Sequence, residues 1–359
     1  MPAELTRCSV PYAFHPPDRV ERCSTAVTNA ASGSKPAWLE VVDWNGQRLV
    51  YSTEECEGAR AFVHTLSADG TSIQKLPGDS GVSTGGDGAV DQSLVNGQLF
   101  VANYNSGSAA VLSVGPDGRL GAEPYVIPFH RDGTGPVADR QDKSYAHQVL
   151  PSPDGRFVYV PDLGADRVQV LGVASRPQDT RVVASIPVPE GSGPRHLTFF
   201  QDGARTFAYL AMELSCQVQA YELEPASGAL YAIGEPVNAF PPEAATKETR
   251  TLAEVVVTND GHFVYASHRL DPAGDHIAGF ARDPSTGTIK LQGWFPTHGC
   301  TPRHFSLSRD KENRYMAVAN QDSDNVVLFR REPTQGTLEH VVTVSGTGPA
   351  NYACLLYTS

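Results

Sequence analysis

Four polar residues at corresponding points of a repeated sequence pattern have side chains suited to proton transfer and anion binding. They are His147, Arg195, Glu213 and Arg269. A histidine with an unperturbed pKa of about 6.5 exchanges protons near neutral pH, and the forked guanidinium of arginine binds carboxylates and phosphates. Glu213 can orient the histidine or an arginine, or act as a base towards water. Gathered in one cavity, such a set predicts acid–base chemistry on a small anionic molecule.

The elements that must position these residues form a repeat of roughly fifty residues. Each unit has two strands of alternating apolar residues joined by a small polar turn. The turn markers are Gly46, Gly97, Gly155, Gly203, Gly261 and Asn313. Second hairpins follow, as in IAGFARDPSTGTIKL, so a unit holds four short strands. No segment shows long helical spacing of apolar residues, and the pattern predicts an all-β chain with six visible units.

The repeat predicts a seven-bladed β-propeller with four antiparallel strands per blade, in one domain spanning residues 1–359. The stretch GTGPANYACL at 346–355 is similar to the entry of a further unit. We expect residues 1–30 to supply the outer strands of that unit. Pairing of the N- and C-terminal strands then closes the ring and removes exposed sheet edges.

One face of this propeller is expected to carry the site, because ligands favour the mouth of a closed β-structure. The residues that enter each first strand and those that leave each second strand share that face. Counting back from the turn markers gives Trp38, Ala89, His147, Arg195 and Ala253. Counting along the second strands selects Glu213 and Arg269. Four chemically suited residues from three consecutive blades are therefore predicted to converge.

Five further residues are predicted to bind substrate around these four. Tyr104 and Gln321 fall at the exits of their second strands, where they are expected to lie on the rim. His196 follows Arg195, and Arg303 with His304 repeats the same PRH phrase. Two extra residues before Asn313 leave the phase of that last pair open. Long connections at 77–91, 128–144 and 236–251 are expected to overhang the same face and narrow the pocket.

Charge and composition exclude several classes of partner. The net charge is −12 with a pI near 5.3, and the basic residues are scattered singly, which argues against nucleic-acid or anionic-membrane partners. Neither a signal peptide nor an apolar stretch of about 18 residues is present, so we expect a cytoplasmic protein. Six cysteines without a CxxC pair indicate free thiols. Oligomeric state is left open.

Several stretches resemble the seven-bladed lactonase propellers, a family that includes bacterial-type 6-phosphogluconolactonase and the fungal carboxy-cis,cis-muconate cyclase. The similar stretches are AHQVLPSPDGRFVYVPDLGADRV, GSGPRHLTFFQDG with MELSCQV, AEVVVTNDGHFVYASHR, and TPRHFSLS with VANQDSDNVVLF. The resemblance covers residues 140–330 and is weak over the first 130. In the fungal cyclase the proposed site is one His, two Arg and one Glu. Carried over, these correspond to His147, Arg195, Glu213 and Arg269.

The resemblance implies a lactone-processing enzyme. It favours hydrolysis of the lactone of a small anionic sugar acid, as by 6-phosphogluconolactonase. The alternative is a lactonising isomerase that closes a carboxymuconate ring, since the same four residues suit both reactions. A further alternative from another class is a non-catalytic propeller that binds proteins, although such a platform needs an exposed apolar patch.

No metal and no cofactor are expected. His268, Asp271, Asp275 and His276 are close in sequence. The phrase DPAGDH nevertheless lacks the ligand spacing of a calcium loop, and the insertion that contains it is predicted to be an exposed hairpin.

Overall fold

A computed structural model describes residues 8–9, 28–29, 35–68, 70, 72–240 and 250–355. Its regular structure is a series of antiparallel sheets, and the helices among these residues are single 3-10 turns at Ala138–Arg140, Pro177–Asp179 and Gln321–Ser323. Five four-stranded sheets and one five-stranded sheet each contain four strands linked in chain order. The fold is therefore an all-β propeller with six four-stranded blades in the described part of the chain.

The strands of each blade run from the innermost to the outermost in sequence order. Blade 1 contains β3 (Pro36–Trp44), β4 (Gln47–Glu54), β5 (Arg60–Leu66) and β6 (Ile73–Lys75), and β7 (Val82–Ser83) also pairs with β5. Blade 2 contains β8 (Ala89–Val95), β9 (Gln98–Asn103), β10 (Ser108–Ser113) and β11 (Tyr125–Pro128). Blade 3 contains β12 (Leu150–Pro151), β13 (Phe157–Asp162), β14 (Arg167–Gly172) and β15 (Arg181–Pro187).

The other three blades follow the same strand order. Blade 4 contains β16 (Pro194–Asp202), β17 (Arg205–Met212), β18 (Gln217–Glu224) and β19 (Ala229–Asn238). Blade 5 contains β20 (Thr251–Val257), β21 (Phe263–Arg269), β22 (His276–Arg282) and β23 (Ile289–Pro296). Blade 6 contains β24 (Pro302–Leu307), β25 (Tyr315–Asn320), β26 (Asn325–Arg331) and β27 (Leu338–Ser345).

The predicted turns between first and second strands are confirmed. All six turn markers have positive φ, from 46° at Asn313 to 82° at Gly46. This left-handed conformation suits glycine and asparagine in tight hairpin connections. It explains why the small polar turn marks each unit of the sequence so clearly.

Apolar cores fill the interfaces between successive blades, so each second strand is buried on both faces. A repeated hydrogen bond crosses four of these interfaces. The hydroxyls of Tyr51, Tyr159, Tyr209 and Tyr265 each donate to a glycine carbonyl in the next blade, at 2.7–3.0 Å. Each such bond contributes about 1 kcal/mol, and together they fix the spacing of the blades.

The segment 350–355 lies between blade 6 and blade 1. Ala350, Ala353 and Leu355 pack against the core of blade 6, whereas Tyr352 and Cys354 pack against blade 1. Over residues 352–355 this alternation is that of an extended chain with one face towards each neighbour. Residues 1–30, expected to supply further strands here, lie mostly outside the described residues. The described parts of this range are β1 (Cys8–Ser9) and β2 (Thr28–Asn29), which pair with each other.

Two smaller expectations can be compared with the structure. Cys300 and Cys354 form no disulfide among the residues that the structure describes. No helix among the described residues is long and apolar enough to pass through a bilayer.

Candidate active site

The innermost strands carry a bulge at the entry face, and this bulge positions several candidate residues. In blade 4 the register of β16 and β17 shifts between Pro194 and His196, so Arg195 is the extra residue. The same shift between Pro302 and His304 makes Arg303 the equivalent residue in blade 6. A bulge re-aims a side chain that regular pairing would hold against the sheet. Arg303 therefore occupies the same position in its blade as Arg195 does in blade 4.

The strand register corrects two members of the count. In blade 1 the shift falls between Pro36 and Trp38, and in blade 2 between Ala89 and Asp91. The residues equivalent to Arg195 are thus Ala37 and Val90, and the count was wrong by one residue. The count assumed one spacing to the turn marker, whereas the marker is the second residue of the turn at Gly46 and Gly97 but the first at Gly203, and β8 is two residues shorter than β16. No proposed site residue is affected.

Glu213 is the centre of a cluster of arginines. It follows the last residue of β17, and its carboxylate lies 3.0 Å from Nε of Arg195, 3.3 Å from Nη2 of Arg269 and 2.7 Å from Nη2 of Arg140. Burial raises the pKa of Glu213, but the charges of Arg269 and Arg195 outweigh burial and hold it below its ordinary value. Glu213 is therefore an ionised carboxylate that orients arginines. We call these four residues the arginine cluster.

Arg140 was missed by the sequence analysis. It lies in the long connection 128–144, and its Nη2 also donates to the Tyr104 hydroxyl at 3.3 Å. The repeat count could not select it because the connection belongs to no strand. The only available signal was the expectation that this connection overhangs the entry face.

His147 stands beside the arginine cluster in blade 3. Its backbone N–H donates to Pro161 O at 2.9 Å, which continues the short strand β12 towards the entry face. Its ring contacts the rings of Tyr104 and His196, with centroids 5.3 Å and 5.1 Å apart. Burial, followed by the charge of Arg195, lowers the pKa of His147 well below 6.5. His147 is consequently a neutral imidazole at neutral pH and can accept a proton.

Several buried donors and acceptors at this face have no partner among the residues that the structure describes. They are Nδ1 of His147, Nη1 of Arg195 and Nε of Arg269. Nε of Arg195 belongs with them, since its N–H is not aligned with Glu213 despite the short distance. Burial and then the charge of Arg269 lower the pKa of Arg195 to about 9. Unpartnered buried donors are costly, and an anionic ligand would satisfy them.

A second group, here called the histidine cluster, crosses the channel below His147. It consists of His196, Glu254 and His304 with the rings of Trp38 and Tyr352. Nδ1 of His196 lies 3.0 Å and 3.1 Å from the two oxygens of Glu254, and Nε2 of His304 lies 3.6 Å from one of them. The His304 ring stacks on Tyr352 with centroids 3.9 Å apart. Five segments thus meet in one cluster.

The remaining predicted residues lie at the edge of this arrangement. Nη2 of Arg303 contacts Glu55 Oε2 at 2.7 Å, which joins blade 6 to blade 1. Gln321 begins the 3-10 turn Gln321–Ser323, where its N–H donates to Thr301 O at 2.9 Å. The structure gives no contact from the Gln321 side chain to the arginine cluster or to the histidine cluster. Of the nine predicted residues, Gln321 is therefore the least connected to the site.

The channel continues on the other side of the histidine cluster as a cavity of about 540 Å³. Its lining runs from Glu254, His304 and Tyr352 to Asn259 and Arg309 near the turn face. The four predicted catalytic residues do not line it. The histidine cluster thus separates the entry-face site from this lower cavity.

One group in the described residues has metal-ligating side chains close together. Ligand atoms of His268, Asp271 and His276 lie within 4.8 Å of one another. Both oxygens of Asp271 also contact Arg250, at 3.1 Å and 3.2 Å, so a metal ion would compete with that cation. The predicted exposed hairpin is correct for its tip, but His268 and Asp275 are buried. The expectation that the chain uses no metal stays a prediction.

Comparison with known proteins identifies relatives over nearly the whole chain. The family model described as "Lactonase, 7-bladed beta-propeller" matches residues 18–353. A 6-phosphogluconolactonase of Formosa agariphila is 33% identical over 244 residues, which are 67% of this chain and 65% of that protein. The 6-phosphogluconolactonase of Bacillus subtilis is 29% identical over 304 residues, 84% of this chain and 78% of that one.

A solved structure extends the similarity to the fold. The periplasmic gluconolactonase of Pseudomonas aeruginosa superposes with a TM-score of 0.79 at 30% identity, covering 91% of this chain and 89% of that one. The chain spans just under two thirds of the Formosa relative but most of this structure.

Proposed function

The chain belongs to the lactonase family of seven-bladed β-propellers, and from this membership we propose that it hydrolyses the lactone of a small anionic sugar acid. The relatives named 6-phosphogluconolactonase and gluconolactonase support this activity. The observation that carries it is the neutral His147 beside buried guanidinium groups whose donors have no partner among the described residues. An ester carbonyl that develops negative charge fits such a site.

In the proposed reaction His147 moves the proton. The neutral imidazole accepts a proton from water as the water oxygen bonds to the lactone carbonyl carbon. The carbonyl oxygen becomes an oxyanion, which Arg195 stabilises. When the ring C–O bond breaks, the leaving oxygen takes the proton back from His147, so that one water is added and the carboxylic acid and hydroxyl are released. Glu213 orients Arg195 and Arg269 in this scheme.

The excess of positive charge is proposed to select the substrate. Arg140, Arg195, Arg269 and Arg303 bring four guanidinium groups to the entry face against the carboxylates of Glu213 and Glu55. Arg269 and Arg303 are placed to bind the anionic end of the substrate, since guanidinium forks match phosphate. Tyr104, His196, His304 and Gln321 complete the proposed pocket lining.

The finer architecture is part of the same proposal. We infer one domain over residues 1–359 with seven blades, in which 350–355 takes the place of the seventh innermost strand and the N-terminal residues complete that blade. The packing of this segment against both blade 1 and blade 6 supports the arrangement. A small-molecule partner and a cytoplasmic location, without nucleic acid or membrane, complete the proposal, and the net charge of −12 supports it.

Substrate assays test the reaction. Proton release from 6-phosphogluconolactone and from unphosphorylated gluconolactone should show hydrolysis of both, with the higher kcat/KM for the phosphorylated one. His147→Asn should reduce kcat by about 10²–10⁴-fold, and the exposed His262→Asn serves as the control. Loss of ultraviolet absorbance from carboxymuconate, without lactone hydrolysis, would instead identify a lactonising isomerase. Lack of all these activities would overturn the proposal.

A further inference from the structure

Glu254 is a buried carboxylate in the channel that the sequence analysis did not select. The pairing of Val255 with Ala266 and of Leu252 with His268 places it in blade 5 at the height of His196 in blade 4 and His304 in blade 6. At that height it faces an imidazole on either side. Glu254 is 4% exposed, and both histidines are buried.

The bond from His196 to Glu254 fixes one tautomer of His196. Burial raises the pKa of Glu254, but the neighbouring His196 and His304 outweigh burial and lower it to about 2. Burial lowers the pKa of His196. An ionised carboxylate only accepts hydrogen bonds, so the neutral imidazole donates its Nδ1–H to Glu254 and keeps Nε2 as an acceptor. Within the described residues Nε2 of His196 has no partner.

The fixed ring of His196 in turn contacts His147. The two rings meet edge to face, with an interplanar angle of 67°, and His196 also contacts the Trp38 ring with centroids 5.5 Å apart. His147 has no hydrogen bond at Nδ1 from any described residue. Its orientation therefore depends on its backbone bond and on the rings of His196 and Tyr104. A rotation or tautomer change of His196 would reach His147 directly.

We propose that Glu254 is a positioning residue for the hydrolysis: it holds His196 in the Nδ1–H tautomer, and His196 holds the imidazole of His147 in place for proton transfer. This inference rests on the proposed function. The alternative is that Glu254 only joins blades 4, 5 and 6. Packing alone does not require a charge here, because a buried ionised carboxylate carries a desolvation cost that an apolar side chain of similar size avoids.

The isosteric variant Glu254→Gln separates the two roles. Its amide oxygen can keep the bond from Val255 N–H, which Glu254 Oε1 accepts at 3.0 Å, and its NH2 group then faces His196. Because that NH2 group, at the Oε2 position 3.0 Å from Nδ1, cannot accept a proton from it, the arrangement favours the Nε2–H tautomer of His196. We expect kcat to fall roughly 10–100-fold, the range for loss of a residue that orients a functional histidine, with KM changed less than about threefold because uniform binding is retained.

A direct readout does not depend on activity. Long-range ¹H–¹⁵N correlation spectra of the full-length protein should show the protonated nitrogen of His196 change from Nδ1 to Nε2 in Glu254→Gln. The matched control is Glu40→Gln, which removes a half-buried carboxyl group that accepts a backbone N–H, from Leu94 at 2.8 Å, and for which the structure gives no hydrogen bond to a histidine. This control should keep the His196 tautomer and kcat.

A double variant tests the route of the effect. If Glu254 acts through His196, adding Glu254→Gln to His196→Asn should lower kcat no further than His196→Asn alone. An unchanged His196 tautomer in Glu254→Gln would overturn the proposal, as would full additivity in the double variant. A tautomer change in a protein without lactonase activity would instead refute the proposed function and leave the link from Glu254 to His196 intact.

Discussion

The propeller buries arginines at both of its ends, but the hydrogen-bond partners of these arginines differ between the two ends. At the turn face Arg282 donates to the Tyr209 hydroxyl at 2.6 Å and to Gly261 O at 3.0 Å, and also reaches Asp202. Arg331 at the equivalent position of blade 6 donates to Asn313 O and to Asp260. At the entry face Arg195 is just as buried but leaves Nη1 without a partner in the described part of the chain.

The difference separates a structural arginine from one available for ligand binding. Arg282 and Arg331 each end a third strand and reach back to the preceding blade, so their charge is compensated by carbonyls and a carboxylate. Arg195 sits on a bulge, where its Nε lies 3.0 Å from Glu213 while Nη1 has no partner among the described residues. A buried arginine alone therefore does not indicate function. Unsatisfied donors beside the channel fit the proposed role in ligand binding, because leaving them without a partner is energetically costly and adds no structural contact.

The largest expected effect of this difference is on catalysis. Arg195→Lys keeps a positive charge but loses the fork of donors, and we expect kcat/KM to fall by about 10²–10³-fold, as for loss of an oxyanion donor. The melting temperature should not fall, because the buried guanidinium of Arg195 has unsatisfied donors and the lysine ammonium that replaces it is free to move. Steady-state kinetics and calorimetry measure both. Arg282→Lys is the matched control, and a greater activity loss in that variant would contradict the comparison.

The turn face should show the opposite result. Arg331→Ala leaves Asp260 and the Asn313 carbonyl without their donor, and we expect a loss of about 3 kcal/mol in the free energy of unfolding. The kcat of the folded fraction should stay within about twofold, because Arg331 is remote from the arginine cluster. Denaturant unfolding at fixed pH gives the stability. An Arg195→Ala variant that loses as much stability as Arg331→Ala would mean that both arginines are structural.

The fold could be read from the sequence because it is repeated. Six turns with positive φ and six pairs of alternating strands repeat one physical solution, and single errors, such as the one-residue shift at Trp38, did not change the architecture. The convergence of the predicted catalytic residues could be predicted for the same reason. Arg195 and Glu213 stand at repeat positions, so counting alone brings them to one face.

Arg140 and Glu254 were not predicted because the sequence repeat does not encode the contacts that bring them to the site. Arg140 reaches Glu213 from a connection whose path no periodicity fixes. Glu254 occupies a repeat position, but its proposed role depends on contacts with His196 and His304 on the two neighbouring blades. These three residues come to one height only because of the strand bulges. A carboxylate at that height next to two PRH phrases was the available signal. Contacts between blades, unlike strand patterns, must be read from the coordinates.

The smallest expected effect is on the pH dependence of stability, and it again distinguishes the two ends. Burial lowers the pKa of His304 on the entry side from 6.5 to about 4. Above pH 6.5 both folded and unfolded states are neutral there. As the pH falls towards 4 only the unfolded state binds the proton, so His304 reduces stability by at most about 1.4 kcal/mol per pH unit. Glu40, whose pKa burial raises to about 7, acts in the opposite direction, so a single variant must isolate the histidine.

The variant His304→Gln removes the imidazole that binds a proton in the unfolded state. Between pH 6.5 and 5 the unfolding free energy of the variant should decline less steeply than that of the parent chain, by up to one proton, as measured by urea unfolding at several pH values. The change at the turn face, His262→Gln, alters an exposed side chain and should leave the slope as it is. Parallel slopes for His304→Gln and the parent would mean that His304 is charged in the folded protein. The entry side would then hold its histidines, like its arginines, as cations, and Glu254 would be their counter-ion.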